Sequence, residues 1–382
     1  MIDKNLTVGI DEITIVLKPT ETDTKTDWLK AVNLSVSIAV NKLNIEPLFG
    51  SMVTMEKNLP QGYSNAITIP NRPYYFAIAW NDNFQQMGIC IKFSAYFLAT
   101  YLYQYKLTYD EQITVVDILK NLQDDNYITR LSRIDFTADY KNFGGELSPD
   151  TIYNHLLAER YIIQNYNGRK TPKKTSAVSK NGKVSTFYAG SRGKNVYSFL
   201  RCYDKRMEQI ETNGFRLDEA LACKSWTRFE ICYRGKYAHQ ITDDLLSLNN
   251  TNQLQKYIAQ KITEKYRFYD TYKDCLTDFS EQLIEVMGDT EFSYLRSENP
   301  RDNELRKSIV HLLNGSGLFP TIYKAYSVWD EEGEEKLFDY LYNYYHTIYK
   351  PNAAKNKELM LWIKKHKKEL AGHTIDDILS NI

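Results

Sequence analysis

The sequence predicts an α+β fold: an antiparallel sheet region built from two similar halves, followed by an α-helical C-terminal region. Three observations lead there. Short β-branched, partly alternating runs recur between residues 8 and 233, separated by turn clusters and brief helical stretches. From about Asp243 onward the apolar spacing becomes helical. The runs of the first set also resemble those of the second, Ile10-Asp11 matching Ile134-Asp135 and Gly88-Ile89-Cys90-Ile91 matching Phe229-Glu230-Ile231-Cys232. The organisation expected is an N-terminal α+β half over 1–125, a second α+β half over 126–242 and a helical region over 243–382.

Taken in order, residues 8 to 17 read as a strand and Thr26 to Leu43 as a helix. Strands follow at Tyr74 to Trp80 and Gly88 to Phe93, with Asn81-Asp82-Asn83 supplying turn chemistry between them. Ser94 can cap a helix over Tyr96 to Tyr105. The second set has strands at Ser132 to Tyr140, Ser185 to Ala189, Tyr197 to Tyr203 and Thr227 to Tyr233. Between the first two lies a helix from Ser148-Pro149 to about Glu159, with Ser148 as N-cap and proline at the first position. Residues 168–176 are too polar for a core element and read as a loop. The rear helices are expected at Asn252 to Phe268, Thr277 to Met287, Asn303 to Leu313 and Glu334 to Tyr349.

Composition excludes several classes. At 43% hydrophobic and 25% charged, the chain has the make-up of a soluble globular protein. No apolar run approaches a membrane span, and Met1 to Asn5 lack a signal-peptide pattern, so a cytoplasmic protein with no membrane partner is expected. The five cysteines (Cys90, Cys202, Cys223, Cys232, Cys275) form no C-x-x-C pair and support neither a disulfide framework nor a zinc ribbon. The 48 basic and 48 acidic residues cancel, yet Arg169, Lys170, Lys173, Lys174, Lys180, Lys183, Arg192, Lys194 and Arg201 fall in one stretch. Such a band suits a phosphate-binding face, although a solvated loop has the same composition.

Strand faces alternate with period two. Arg133, Asp135, Thr137 and Asp139 therefore share one face, with Ile134, Phe136 and Ala138 on the core side. Arg228 and Glu230 share a face, and so do Arg201, Tyr203 and Lys205. If these strands are neighbours, carboxylates, arginines and a tyrosine meet. Carboxylate oxygens suit Mg²⁺ or Mn²⁺, which offset charge in an in-line phosphoryl displacement. Nearby positive charge would lower a tyrosine's pKa and improve it as a nucleophile. An outward polar row is also what an ordinary antiparallel sheet presents to water, and 30 tyrosines forbid choosing one by composition.

Two segments choose it. Thr186-Phe187-Tyr188-Ala189-Gly190-Ser191-Arg192 and Phe199-Leu200-Arg201-Cys202-Tyr203-Asp204-Lys205-Arg206-Met207-Glu208 resemble the replication initiation factor family, Rep_trans. Trp226-Thr227-Arg228-Phe229-Glu230-Ile231 resembles its later Arg-x-Glu strand, and Arg133-Ile134-Asp135 its early Arg-x-Asp strand. The family includes initiators of rolling-circle plasmids and relaxases of integrative conjugative elements. The resemblance covers roughly residues 8 to 240 and implies a site-specific DNA-nicking and strand-transfer enzyme acting through a 5′-phosphotyrosine. It places the nucleophile on Tyr203, with Arg201 and Lys205 beside it, and a divalent metal on Asp135, Glu230 and, as a third candidate, Asp139. Arg133, Arg228, Lys170, Lys173, Lys174, Arg192 and Lys194 are the expected DNA contacts. The implied partners are origin DNA, single-stranded or as an extruded hairpin, with a helicase and a second copy of the chain as further candidates. Plasmid initiator and conjugative relaxase stay open, as does a non-catalytic DNA-binding protein of the same fold. The six histidines include no His-hydrophobic-His pair, which separates the chain from the other large class of rolling-circle nickases.

Overall fold

A computed structural model describes residues 5–20, 25–172, 174–193, 196–288, 292–295, 305–314, 316–370, 372 and 374–379. The strands are β1 (Asn5–Pro19), β2 (Val53–Thr54), β3 (Asn65–Thr68), β4 (Phe76–Trp80), β5 (Ile89–Phe93), β6 (Tyr127–Lys141) and β7 (Tyr161–Gln164). They continue with β8 (Thr175–Lys180), β9 (Lys183–Ala189), β10 (Ser198–Asp204), β11 (Trp226–Arg234), β12 (Arg267–Asp270) and β13 (Cys275–Leu276). Ten of them form one antiparallel sheet in the order β2-β3-β4-β5-β1-β6-β11-β10-β9-β8, and β13-β12-β7 form a small second sheet.

The large sheet is the same on both sides of its middle. Outward from the β1–β6 contact run β5, β4, β3, β2 on one side and β11, β10, β9, β8 on the other. In each half the chain leaves the central strand, passes through a helix, reaches the far edge and returns by successive hairpins. That helix is α1 (Lys25–Lys42) in the first half and, after α2 (Ile45–Phe49), α3 (Ala95–Tyr109) and α4 (Val115–Asn121), α5 (Pro149–Leu157) in the second. The two sequence resemblances fall on matching strands: β1 with β6, and β5 with β11.

Alternation sets the faces. Ile13, Ile15, Leu17, Ile134, Phe136, Ala138, Leu200 and Ile231 are fully buried on one side of the sheet. Helix α9 (Thr251–Lys265), which follows α6 (Lys205–Glu211), α7 (Leu217–Ala222) and α8 (Lys236–Leu246), shares their core through Leu254, Tyr257, Ile258 and Ile262. This changes the expected domain plan. Residues 243–295 cannot leave the sheet without exposing that core, and the chain divides after Leu295 into units Met1–Leu295 and Arg296–Ile382. A division at residue 125 is likewise bridged by the long β1–β6 ladder.

The second unit is helical, with α11 (Leu305–Asn314), which follows α10 (Asp278–Met287), and α12 (Leu318–Tyr344) interrupted at Trp329 and Asp330. The helix expected at Glu334 is thus the arm beyond that break. The helix expected from Asn303 begins outside the described residues. The helix expected to end at Phe268 stops at Lys265, because Arg267–Asp270 pair with β7 and β13.

The expected caps hold. The Ser94 hydroxyl accepts from the Phe97 amide, and the Ser148 hydroxyl accepts from the Thr151 amide at 3.1 Å, with Pro149 starting α5. Ser148→Ala should lower unfolding free energy in urea by about 1 kcal/mol, since one first-turn amide loses its acceptor.

Candidate active site

Strands β6, β11 and β10 are neighbours, so the three polar rows meet. Arg228 lies opposite Asp139 and Cys232 opposite Asp135 across the β6–β11 ladder. Arg201 lies opposite Glu230 and Tyr203 opposite Arg228 across β10–β11. Strand β1 adds two carboxylates. The β1–β6 register shifts between Ile10 and Ile13, and Asp11 and Glu12 occupy that irregularity.

Every carboxylate here has a guanidinium partner. Arg133 donates from Nε and Nη2 to the two oxygens of Asp135 at 2.9 and 2.5 Å, and its Nη1 lies 2.9 Å from Glu12 Oε1. Arg201 Nη2 donates to both Glu230 oxygens at 2.6 Å. Arg228 grips Asp139 through Nε and Nη2 at 2.7 and 2.8 Å, and its Nη1 donates to Asp11 at 2.5 Å. The Trp226 indole donates to Asp139 Oδ1 at 2.7 Å, and Arg216 lies 3.7 Å from Asp139 Oδ2. The Tyr203 hydroxyl donates to Glu230 Oε2 at 3.2 Å.

The cluster has a closed floor and an open rim. Asp135, Asp139, Arg228, Glu230 and Tyr203 are buried, whereas the side chains of Arg133 and Arg201 are 31% and 36% exposed. Arg201 Nε is buried without a hydrogen-bond partner among the described residues, and its guanidinium lies over the Tyr203 ring. An arriving phosphate would therefore meet arginines first, with the carboxylates beneath them.

Burial dominates the electrostatics. It raises the Asp135 carboxyl above its ordinary range, with Glu12 adding to it and Arg133 opposing. Burial also raises Glu230; Arg201 opposes, while Asp135 and Asp11 push the same way. Asp139 goes down, because Arg228 and Trp226 outweigh its burial. Arg228 and Arg201 do lower the Tyr203 pKa, as positive charge should, but they are outweighed. Burial and the Glu230 charge lift it well above that of an ordinary tyrosine, despite Arg228 and Arg201.

The other expected residues divide. Asp139 is gripped through both oxygens by Arg228, with the Trp226 indole also on Oδ1, as Asp135 is by Arg133 and Glu230 by Arg201. Arg228, expected on DNA, is 1% exposed and spans two carboxylates, so it organises the floor. Lys205 is buried and pairs with Glu208 at 2.9 Å, though its ammonium stays 5.6 Å from the centre of the Tyr203 ring. Lys170, Lys174 and Arg192 are exposed around the β8–β9 hairpin, one strand beyond β10, with Arg192 over the Tyr188 ring. Lys173 and Lys194 lie outside the described residues. Sequence reasoning missed Asp11, Glu12, Arg216 and Trp226 as members of the cluster. Ile10-Asp11 did carry a signal, in its match to Ile134-Asp135.

Among the described residues, no three His, Cys, Asp or Glu side chains converge closely enough to cage a metal ion. No helix of the described residues is long and apolar enough to cross a membrane.

No curated protein matches the chain significantly. Among solved structures it is similar to the rolling circle replication initiator protein from Geobacillus stearothermophilus, at 15% identity and a TM-score of 0.49, covering 74% of this chain and 97% of that one. The replication initiation factor family, Rep_trans, matches residues 129–315. The matched residues, 129–315, hold Asp135, Tyr203 and Glu230, so the cluster lies within the part of the chain that is similar to replication initiation factors.

Proposed function

We propose that the protein initiates rolling-circle replication or conjugative transfer by nicking one DNA strand with Tyr203 and holding its 5′ end. One observation carries the reading: the Tyr203 hydroxyl donates to Glu230 inside a carboxylate–arginine cluster whose rim is cationic. In the step proposed, Tyr203 Oη attacks the scissile phosphorus and the bond to the 3′ oxygen breaks. Glu230 Oε2 is placed to receive the tyrosine proton, and the departing 3′ oxygen takes a proton from water. The resulting 3′ hydroxyl primes synthesis, and the reverse transfer reseals the strand. Arg201 and Arg133 orient the phosphate at the rim, while Lys170, Lys174 and Arg192 hold the flanking backbone without reading sequence.

The metal implied by the family resemblance, Mg²⁺ or Mn²⁺, has a suitable though sparse donor set. Asp135 and Glu230 are hard oxygen donors, and Asp135 raises the pKa of Glu230, a repulsion that a cation would relieve. Two carboxylates completed by water and phosphate oxygens are a common Mg²⁺ environment. When bound, the ion polarises a phosphate oxygen and offsets charge in the displacement. A second copy of the chain would supply the second cut of a replication cycle, and a helicase would extend the opened strand.

The test is covalent capture on labelled single-stranded DNA from the element's own origin region. Wild-type protein with Mn²⁺ should give a protein–DNA adduct on a denaturing gel, and chelator should remove it. Separately, Mn²⁺ should raise the melting temperature of wild type and raise that of Asp135→Asn less. Tight DNA binding with no adduct on any origin strand would favour the non-catalytic relative of the same fold.

A further inference from the structure

Beside the tyrosine cluster, a cleft of about 250 Å³ opens between β1, β6 and helix α3. Its walls include Gly9, Ala95 and Ala99, small residues that leave the space open, together with Phe215, whose ring stacks on Tyr96 at 4.6 Å between centroids. Its polar lining is Thr7, Asp11, Thr137, Asp139, Arg216 and Arg228, the two arginines being engaged by Asp11, Asp139 and Glu219.

Two features mark this cleft as built for a ligand. Thr137 is only 3% exposed, yet its hydroxyl, which faces the cleft, has no hydrogen-bond partner among the described residues. Open to the cleft, this hydroxyl can bond water in the free protein and a polar ligand atom in a complex. Gly9 lies beside it: a Cβ at residue 9 would come into van der Waals contact with Thr137 Oγ1, at 3.6 Å, and a larger side chain would fill the space. Asp11 adds an acceptor, since Arg228 engages its Oδ1. The cleft lies along β1 and β6, and β11 alone separates β6 from the strand of Tyr203. At a strand spacing of about 4.8 Å, the two are roughly 10 Å apart, within reach of neighbouring nucleotides of one strand.

We infer that this cleft receives an unstacked DNA base next to the scissile phosphate, and that it selects a base with an exocyclic amino group. The inference rests on reading the protein as one that handles single-stranded DNA. The apolar walls and Phe215 pack against the ring. Asp11 accepts from the amino group, as carboxylates do from cytosine N4, and Thr137 completes the polar edge. Thymine carries a carbonyl where cytosine carries the amino group, and would set an acceptor against the carboxylate.

The test compares binding of fluorescein-labelled dC15 and dT15 to the full chain by anisotropy, in chelator so that cleavage plays no part. Wild type should bind dC15 about tenfold or more tighter than dT15. Thr137→Val, which replaces the hydroxyl by a methyl group of similar size, should lose that preference and keep its dT15 affinity. Gly9→Val should do the same by filling the cleft, with melting temperature confirming that each variant is folded. Equal wild-type binding of the two oligonucleotides overturns the inference, and so does a preference that survives in folded Thr137→Val. Binding without preference would leave the nicking assay unaffected. Absence of binding to either oligonucleotide overturns this inference together with the DNA reading.

Discussion

Tyr203→Phe should abolish the covalent protein–DNA adduct, lowering nicking by about 10³-fold or more, while the protein melts almost where wild type does. The two halves of that expectation come from the same contacts. The hydroxyl is the only atom lost, and it makes one hydrogen bond, to Glu230 at 3.2 Å. Glu230 keeps its two bonds from Arg201 Nη2, so no carboxylate is orphaned. At 3.2 Å this is a long hydrogen bond, so its contribution should lie at the low end of the range for bonds to charged groups, about 1.5 kcal/mol. The phenyl ring stays under Arg201, preserving the packing. Covalent capture with matched denaturant melts would check both halves. An adduct that survives in the folded variant would move the chemistry to another tyrosine. Tyr188, opposite Arg201 on β9, is the first to examine.

The raised pKa of Tyr203 refines what the reaction demands. In the unliganded protein the tyrosine is protonated and held by a carboxylate, not poised as a phenolate. Under the proposed nicking reaction, activation would coincide with substrate arrival, when a phosphate engages the rim arginines that now grip Asp135 and Glu230. The arginines serve both states, neutralising buried carboxylates before binding and a phosphate afterwards.

How far the sequence anticipated this depended on which interactions are local. Period-two alternation grouped Asp135 with Asp139, Arg228 with Glu230 and Arg201 with Tyr203, because pleating fixes each row, and the pairing of β6, β11 and β10 joined the rows. Asp11 and Glu12 could not be found the same way. Adjacent residues in a regular strand point oppositely, and only the register shift near Ile10–Ile13 brings both to the cluster. Trp226 begins β11 with its indole turned to Asp139, and Arg216 arrives from the loop before α7; neither follows from spacing. The duplication was legible as two weak dipeptide and tetrapeptide matches, while its meaning, a sheet repeated about the β1–β6 contact, is a property of long-range pairing. The same holds for β7, β12 and β13. They are short segments, and β12 becomes a strand by finding β7 about a hundred residues earlier, which ties residues 267–276 to the first unit.

Arg228→Met should be the most damaging single change to the fold of the first unit, lowering its unfolding free energy by about 3–5 kcal/mol at neutral pH. The side chain is 1% exposed and satisfies Asp139 and Asp11 together. Without it, Asp139 would remain buried with the Trp226 indole and the more distant Arg216 as its donors. Asp11 suffers less, being partly open to the cleft. Replacing both members of the buried pair should restore most of the loss, because Asp139→Leu with Arg228→Met leaves no uncompensated charge at that position. Acid provides an independent check. The Asp139 pKa is depressed in the folded state, so its stabilising contribution is complete above the unfolded carboxylate value of about 3.9. That contribution drains away as pH falls below this value toward the folded one. Wild type should therefore lose part of its advantage over Arg228→Met between neutral pH and about pH 3, as each Asp139 takes up a proton. Urea melts across that range would show the two curves converging. Parallel curves would mean that the Arg228–Asp139 pair does not anchor the floor beneath Tyr203.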